Sequence, residues 1–256
     1  VHRVRRSNLF VPDAEADIYV VGLGIGGYER RTVEADAVLA ESEFIFHLTA
    51  FDAQLRETYP NSMVIDHGHL YSEFDDPSFV YNEMAEAVVK VFLSRSTSRP
   101  VSFLVYGHPA VLVDSATIIK RQAEKLGIRV KTVPGISFID ESISLFDDRL
   151  DRVTQHYEAT YFVRNRIAPD TRYPVLLSQV GDFDSRKLRP QYDSDRFSDL
   201  YDYISELYSF DASRRIDFFL LPWREDMEPQ VVSYQISNIR QARPFVGNSL
   251  LIHGTI

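Results

Sequence analysis

Val101-Ser102-Phe103-Leu104-Val105-Tyr106-Gly107-His108-Pro109 is the stretch on which the reading of this chain turns. The run through Val105 reads as a buried strand, and a Tyr-Gly-His-Pro turn follows at once. Asp114 and Ser115 then offer starts for the next helix. In an α/β sheet, ligands bind beyond the carboxyl ends of strands. This end carries a flexible glycine, a rigid proline and two polar rings. Taken alone, the same residues also describe an ordinary strand-to-helix turn with a satisfied histidine.

Outward from this turn the first half alternates strand and helix. Strands are predicted over 18–23, 44–48, 63–66, 101–105 and 130–133, and helices over 32–40, 51–58, 79–93, 114–126 and 137–146. Met84, Val88, Val91 and Phe92 form a helical stripe. The alternation implies a largely parallel sheet covered on both faces. The second half reads differently: 157–163 extended, 174–179 and 218–222 as strands, 197–210 as a helix, 231–236 as either strand or helix, and 249–253 as a final strand. A hinge near 147–154 divides an N-terminal arm (1–16) and an N-terminal α/β domain (17–148) from a C-terminal α/β domain (149–256), with a cleft expected between the domains.

The 256 residues carry 45% apolar and 25% charged side chains, a soluble globular composition large enough to hold its own core. The net charge of -9 argues against general nucleic-acid binding, which needs clustered Lys and Arg. With no cysteine, disulfides, thiolate catalysis and Cys-based zinc sites are excluded. The seven histidines are scattered and no metal is predicted; His67 and His69 alternate and could share a strand face, but lack a clear third ligand. No run of about 18 apolar residues is present to span a membrane. The basic start, Val1-His-Arg-Val-Arg-Arg6, lacks the apolar core of a signal peptide, and a cytoplasmic location is expected.

Gly22, Gly24 and Gly27 match the spacing of a dinucleotide fingerprint. The acidic partner expected near the end of the second strand is missing: Glu41 and Glu43 precede that strand and Asp52 lies well beyond it. Nor does Gly27 open a helix directly, because Tyr28-Glu-Arg-Arg-Thr32 intervenes. The glycines are read instead as a tight turn near a cleft.

The glycine loop, Thr32-Val-Glu-Ala35 and Glu43-Phe-Ile-Phe46 together resemble the opening of the tetrapyrrole (corrin/porphyrin) methylases, and the resemblance extends over nearly all of 18–256. Cobalamin-pathway members usually carry Gly-Asp-Pro after the central strand, where this chain has Gly107-His-Pro109. That turn, with Val130-Lys-Thr-Val-Pro-Gly-Ile-Ser137, Tyr157-Glu-Ala-Thr160 and Leu176-Leu-Ser-Gln179, is similar to the borosin peptide backbone N-methyltransferases. The resemblance implies two α/β domains with S-adenosylmethionine folded between them and S-adenosylhomocysteine as product. It implies that Pro109, Ala110, Val111 and Val113 hold the methionine part, with Ser137 and Phe138 beside it. Ala159 would lie near the adenosine, and Gln179 and Ser249 would complete the rim. Ser137 also reads as a helix N-cap, and Phe138 and Val113 as core.

What the resemblance implies for catalysis centres on Tyr71, Tyr81, Tyr106 and His108. Tyr71 and Tyr81 match family tyrosines, and also read as amphipathic packing aromatics. Tyr106 would orient the acceptor. His108 would serve as a base or fix its own loop. Phe74 stands where another tyrosine is common, and Ser78 about where the family arginine falls; no arginine occurs between Arg56 and Arg95. Asp75 and Asp76 read as solvated loop acids. The expected function is N-methylation of backbone amides in a separately encoded, ribosomally made precursor peptide, by a homodimer that binds neither nucleic acid nor membrane. That expectation includes no substrate peptide fused after the last strand. The alternatives are a methylase of a tetrapyrrole or other small molecule, and an inactive binding protein that retains the fold.

Overall fold

The computed structural model describes residues 16–147, 150, 152–188 and 190–255; the arm up to residue 15 and hinge positions 148, 149 and 151 lie outside them. The chain divides into two compact units. The first comprises Val1–Phe74, Ser78–Phe138 and Trp223–Glu225, and the second Asp75–Pro77, Ile139–Pro222 and Asp226–Ile256.

The first unit holds an all-parallel sheet of β1 (Ile18–Gly22), β2 (Phe44–His47), β3 (Met63–Asp66), β4 (Val101–Val105) and β5 (Val130–Val133), in the order β3-β2-β4-β1-β5. Every residue of the central strands β1 and β4 is buried, as expected of parallel strands covered on both faces. Helix α1 (Val33–Glu41) starts at Thr32, whose hydroxyl accepts the Ala35 N–H at 3.1 Å. With α2 (Asp52–Thr58), it packs Val38, Leu39 and Leu55 against Tyr19 and Val21 of β1. A short α3 (Leu70–Glu73), absent from the sequence reading, precedes α4 (Pro77–Ser94). Helix α4 buries Val80, Met84 and Val88, a spacing of four that keeps one face inward. Helix α5 (Asp114–Lys125) follows β4, and α6 (Phe138–Phe146) follows β5.

The chain leaving β1 runs past β4 to β2, whereas the chain leaving β4 runs past β1 to β5. The connections leaving these two neighbouring strands therefore point in opposite directions, the arrangement at which α/β sheets bind ligands. At that place Gly22, Gly107 and Gly135 come into backbone contact. A Cβ on Gly22 would stand 2.4 Å from the Gly107 carbonyl oxygen and 2.6 Å from the Gly135 nitrogen. One on Gly135 would stand 2.4 Å from the same oxygen. Gly24 and Gly107 also exchange backbone hydrogen bonds, 3.0 and 3.4 Å long, so the loops after β1 and β4 are laced together.

The second unit holds a mixed sheet of β6 (Gln155–Glu158), β7 (Val175–Ser178), β8 (Arg215–Leu220), β9 (Gln230–Gln235) and β10 (Ser249–Ile252), ordered β6-β7-β10-β8-β9. Only the β6–β7 pairing is parallel among these strands. Helix α8 (Ser194–Leu207) lays Phe197, Leu200, Tyr201 and Ile204 onto a core with Val175, Leu177, Ile216, Phe218, Leu250 and Ile252. Asp217, fully buried within β8, is satisfied by Arg215 Nε (2.9 Å), Ser233 Oγ (2.6 Å) and His253 Nε2 (2.7 Å).

The structure decides three of the sequence readings. The extended reading of 157–163 ends at Glu158, whose carboxylate accepts the N–H groups of Thr160 (2.9 Å) and Tyr161 (2.6 Å). That cap starts helix α7 (Ala159–Arg164) and overrides the β preference of Tyr161-Phe-Val163. The ambiguous 231–236 run is strand β9 as far as Gln235 and then a 3-10 turn. His67 and His69 share no strand face, because β3 stops at Asp66. No helix among the described residues is long and apolar enough to cross a membrane.

Gly22→Ala meets backbone that cannot retreat, so it should destabilise the protein by about 3 kcal/mol. Gly107→Ala meets the movable Ile25 side chain at 3.3 Å and takes on a left-handed φ of 66°, for about 1–2 kcal/mol. Urea unfolding of the two variants checks the ranking; equal losses would contradict the contact argument.

Candidate functional site

The turn after β4 is built from its own backbone and ring. Gly107 supplies the left-handed residue and Pro109 is buried. His108 Nδ1 accepts the Ala110 N–H at 3.0 Å, while the His108 carbonyl accepts the Val111 N–H at 2.9 Å. An imidazole whose Nδ1 accepts a hydrogen bond carries its neutral-state proton on Nε2. His108 thus holds the loop, and its free face is a donor rather than a ready base. Leu112 takes a positive φ of 60°, and α5 begins after Val113 with no side-chain cap. The half-buried Val111 and Val113 therefore sit beside helix-start N–H groups suited to an anionic group.

Tyr106 lies half-buried just ahead of this turn. Its phenol oxygen accepts the Ala50 N–H, and its ring meets Phe51 edge-on at 6.1 Å. Burial pushes the phenol up, while the Ala50 hydrogen bond and the Arg224 guanidinium pull the other way.

Tyr71 on α3 and Tyr81 on α4 meet edge to face, ring centres 6.3 Å apart. Burial raises the Tyr71 phenol well above its ordinary value. The hydrogen-bonded Tyr81 and the Asp114 carboxylate add to the rise. Tyr71 is therefore a protonated donor at neutral pH, and the influence of Asp114 ties the pair to the start of α5. Ser78 is exposed on the first turn of α4, and no arginine stands there. Nearby, Phe74 and Phe79 pair at 4.8 Å.

Ser137, buried, and Phe138 stand where the chain enters α6, directly after the Gly135 contact. The other three predicted residues belong to the second unit. Ala159 is the buried first residue of α7. Gln179 follows β7 in a left-handed conformation, and Ser249 opens β10. Strand register brings them to one end of that sheet: Glu158 pairs with Ser178, Leu250 pairs with Leu177, and Val180 N–H donates to the Asn248 carbonyl.

Three features escaped the sequence reading. Tyr28 N–H donates to Glu225 Oε1 at 2.9 Å, and a Cβ on Gly27 would touch Glu225 Cγ at 3.0 Å, so Trp223-Arg-Glu225 lies on the glycine loop. His67, buried against Phe46, has an Nδ1 with no hydrogen-bond partner among the described residues; burial, then His69, lowers it to about 4. Asp182, three residues past Gln179, is pushed up to about 6 by burial, against the pull of Arg196. The only sequence signals were a histidine beside a strand end and an acid after Val180-Gly181.

The glycine loop belongs to a 3-10 turn over Tyr28–Arg30 rather than a dinucleotide helix. The sequence pattern of the tetrapyrrole (corrin/porphyrin) methylases matches residues 17–153. The chain belongs to the tetrapyrrole methylase family. Two curated proteins are similar to it. One is a methyltransferase/ribosomally synthesized type III borosin cyclic peptide precursor of Anomoporia bombycina, 30% identical over 203 residues. The other is its type II counterpart from Phlebiopsis gigantea, 25% identical over 183 residues. These alignments cover 76% and 66% of this chain but only 22% and 32% of those proteins. Among solved structures, uroporphyrin-III-C-methyltransferase of Thermus thermophilus superposes with a TM-score of 0.61 at 15% identity, covering 94% of this chain and 93% of that one. A putative diphthine synthase of Entamoeba histolytica gives 0.59 at 15% identity, covering 93% and 92%. At such identities the likeness is one of fold.

Asp182 gives this family member a pH signature. A carboxyl raised in the folded state favours the protonated fold, so its contribution is fully present below the unfolded value near 4 and is lost as pH rises through about 6. Asp182→Asn should leave the melting temperature flatter across this window, so that wild type gains on the variant as pH falls from 7.5 to 4.5. Parallel melting curves would rule out the titration.

Proposed function

We propose that this chain methylates backbone amide nitrogens of a separate precursor peptide, using S-adenosylmethionine. Family membership supports methyltransferase activity, and the names of the two curated relatives favour a peptide acceptor. The observation that carries the reading is the Tyr71–Tyr81 pair, its ring centres 6.3 Å apart, with Tyr71 kept protonated by burial.

The residues fit the methyl donor at the turn after β4. Its exposed Ala110 and the close glycine backbones leave little side-chain bulk, and the uncapped start of α5 offers N–H donors. Pro109, Ala110, Val111 and Val113 are assigned the methionine part, with Ser137 and Phe138 beside it. S-adenosylmethionine held there would supply an electrophilic methyl group for the acceptor nitrogen, with the S–C electron pair returning to sulfur to give S-adenosylhomocysteine.

An amide nitrogen is a poor nucleophile because its lone pair is delocalised onto oxygen. In this reading Tyr71 and Tyr81 donate hydrogen bonds to that oxygen and stabilise the charge that gathers there as the N–H proton passes to water. Tyr106 positions the peptide beside the turn, and His108 keeps the turn in shape. A small-molecule acceptor draws its support from the serine at position 78, where peptide methylases would offer an arginine.

Calorimetry should detect S-adenosylmethionine binding to the purified protein; absence of binding would remove both acceptors at once. With a synthetic apolar peptide, each transfer adds one methyl by mass spectrometry. Tyr71→Phe should slow turnover by about 100-fold while cofactor affinity stays within about threefold; equal losses would deny Tyr71 a catalytic role. Gln179→Ala and Ser249→Ala test separately whether that edge of the second unit contributes to cofactor affinity.

A further inference from the structure

Two aromatic contacts join α3 and its cap to α4, and the proposed chemistry draws on one of them. Tyr71 and Tyr81 are both half-buried, their ring centres 6.3 Å apart. Phe74 and Phe79 meet more closely, at 4.8 Å, yet Phe74 keeps 38% of its surface exposed and Phe79 43%. Full burial of a phenylalanine side chain is worth about 1.5–3 kcal/mol, so an apolar group laid on this pair gains part of what remains.

Backbone ties the second contact to the first. Helix α3 is a single turn, closed by the Phe74 N–H donating to the Leu70 carbonyl at 3.2 Å. Phe74 thus follows Tyr71 by three residues of helical backbone, a spacing that sets the two side chains about 5–6 Å apart at Cβ. The start of the turn is fixed as well. The His67 carbonyl accepts the Leu70 N–H at 3.1 Å, and the His67 ring is buried against Phe46. In a peptide, a side chain leaves the Cα that is bonded to the carbonyl carbon, so its Cβ lies about 3 Å from the carbonyl oxygen. An oxygen held by Tyr71 therefore brings its own residue's side chain within reach of the Phe74 ring. That ring has no hydroxyl and offers an apolar face. Glu73, Asp75 and Asp76, all exposed, flank it in sequence and oppose an acidic side chain.

We propose that Phe74 is a specificity-determining residue whose ring, backed by Phe79, receives the apolar side chain of the residue that supplies the carbonyl of the methylated amide. The proposal rests on the peptide reading above and deepens it: Tyr71 holds the oxygen, and Phe74 selects the residue attached to that oxygen. The substrate is then a peptide with an aliphatic or aromatic residue immediately before each methylated nitrogen.

Two measurements on the full chain test it. Two synthetic peptides differ only in that residue, leucine in one and the similarly sized asparagine in the other. Wild type should methylate the leucine peptide with a kcat/KM about 30-fold higher. Phe74→Ser should narrow this ratio by about 10-fold, Phe74→Tyr, which keeps the ring, should preserve it, and calorimetry should find S-adenosylmethionine affinity within about threefold of wild type in both. A ratio unchanged in Phe74→Ser, or already near one in wild type, overturns the assignment and leaves the peptide reading standing. The second measurement needs no turnover. In protein with ring-labelled phenylalanine, the resonance missing from Phe74→Tyr identifies Phe74. With S-adenosylhomocysteine present, the leucine peptide should shift that resonance more than the asparagine peptide does at equal concentration. If neither peptide shifts it, the proposal falls. If the leucine peptide shifts it while wild type transfers no methyl to either, the proposed reaction is wrong and Phe74 stands as the ring that receives the side chain.

Discussion

The backbone contact among Gly22, Gly107 and Gly135 is the constraint on which the first unit depends. Three loops leave three neighbouring parallel strands, and their main chains approach to distances no Cβ tolerates. The contact fixes the spacing of the loops more tightly than side-chain packing would, because peptide planes do not change rotamer. Everything assigned to the donor side follows from it: the Tyr-Gly-His-Pro turn hangs from one member, Ser137 follows another, and the glycine loop that receives Glu225 begins at the third. His108 adds a second brace, its ring accepting from the turn it belongs to.

The tyrosines proposed to face the acceptor rest on a different principle. Tyr71, Tyr81 and Tyr106 come from three elements, and burial keeps Tyr71 and Tyr106 in the donor form. A buried phenol is a directional donor with little tendency to ionise, suited to stabilising charge on an oxygen without taking a proton itself. Asp114, at the head of α5, strengthens that tendency at Tyr71 and connects the two sides electrostatically.

Much of the sheet was legible in the sequence because its strands are apolar runs closed by glycine, proline or polar clusters. β3, β4 and β5 start and stop where those signals stand. The misreading at Tyr157–Val163 has a local cause: a glutamate acting as helix cap is a weak sequence signal beside three strand-favouring residues. The site was legible only in part. Its turn announces itself through composition, and Tyr71 and Tyr81 could be named from resemblance, but their ring contact depends on how α3 and α4 meet. The approach of Gly22 to Gly135 spans more than a hundred residues of chain. Trp223-Arg-Glu225 looks like any polar loop, and nothing in its composition says which sheet it joins.

That borrowed tripeptide also sets an order of assembly. A chain made from its N-terminus can pair β1 to β5 and close the three-glycine contact long before residue 223 emerges. The glycine loop, however, stays without its carboxylate partner until most of the second unit has been synthesised. The earliest-made half of the protein is therefore among the last to be finished. A nascent fragment can reach the right topology while the loop beside its most ligand-like turn still waits for a distant glutamate.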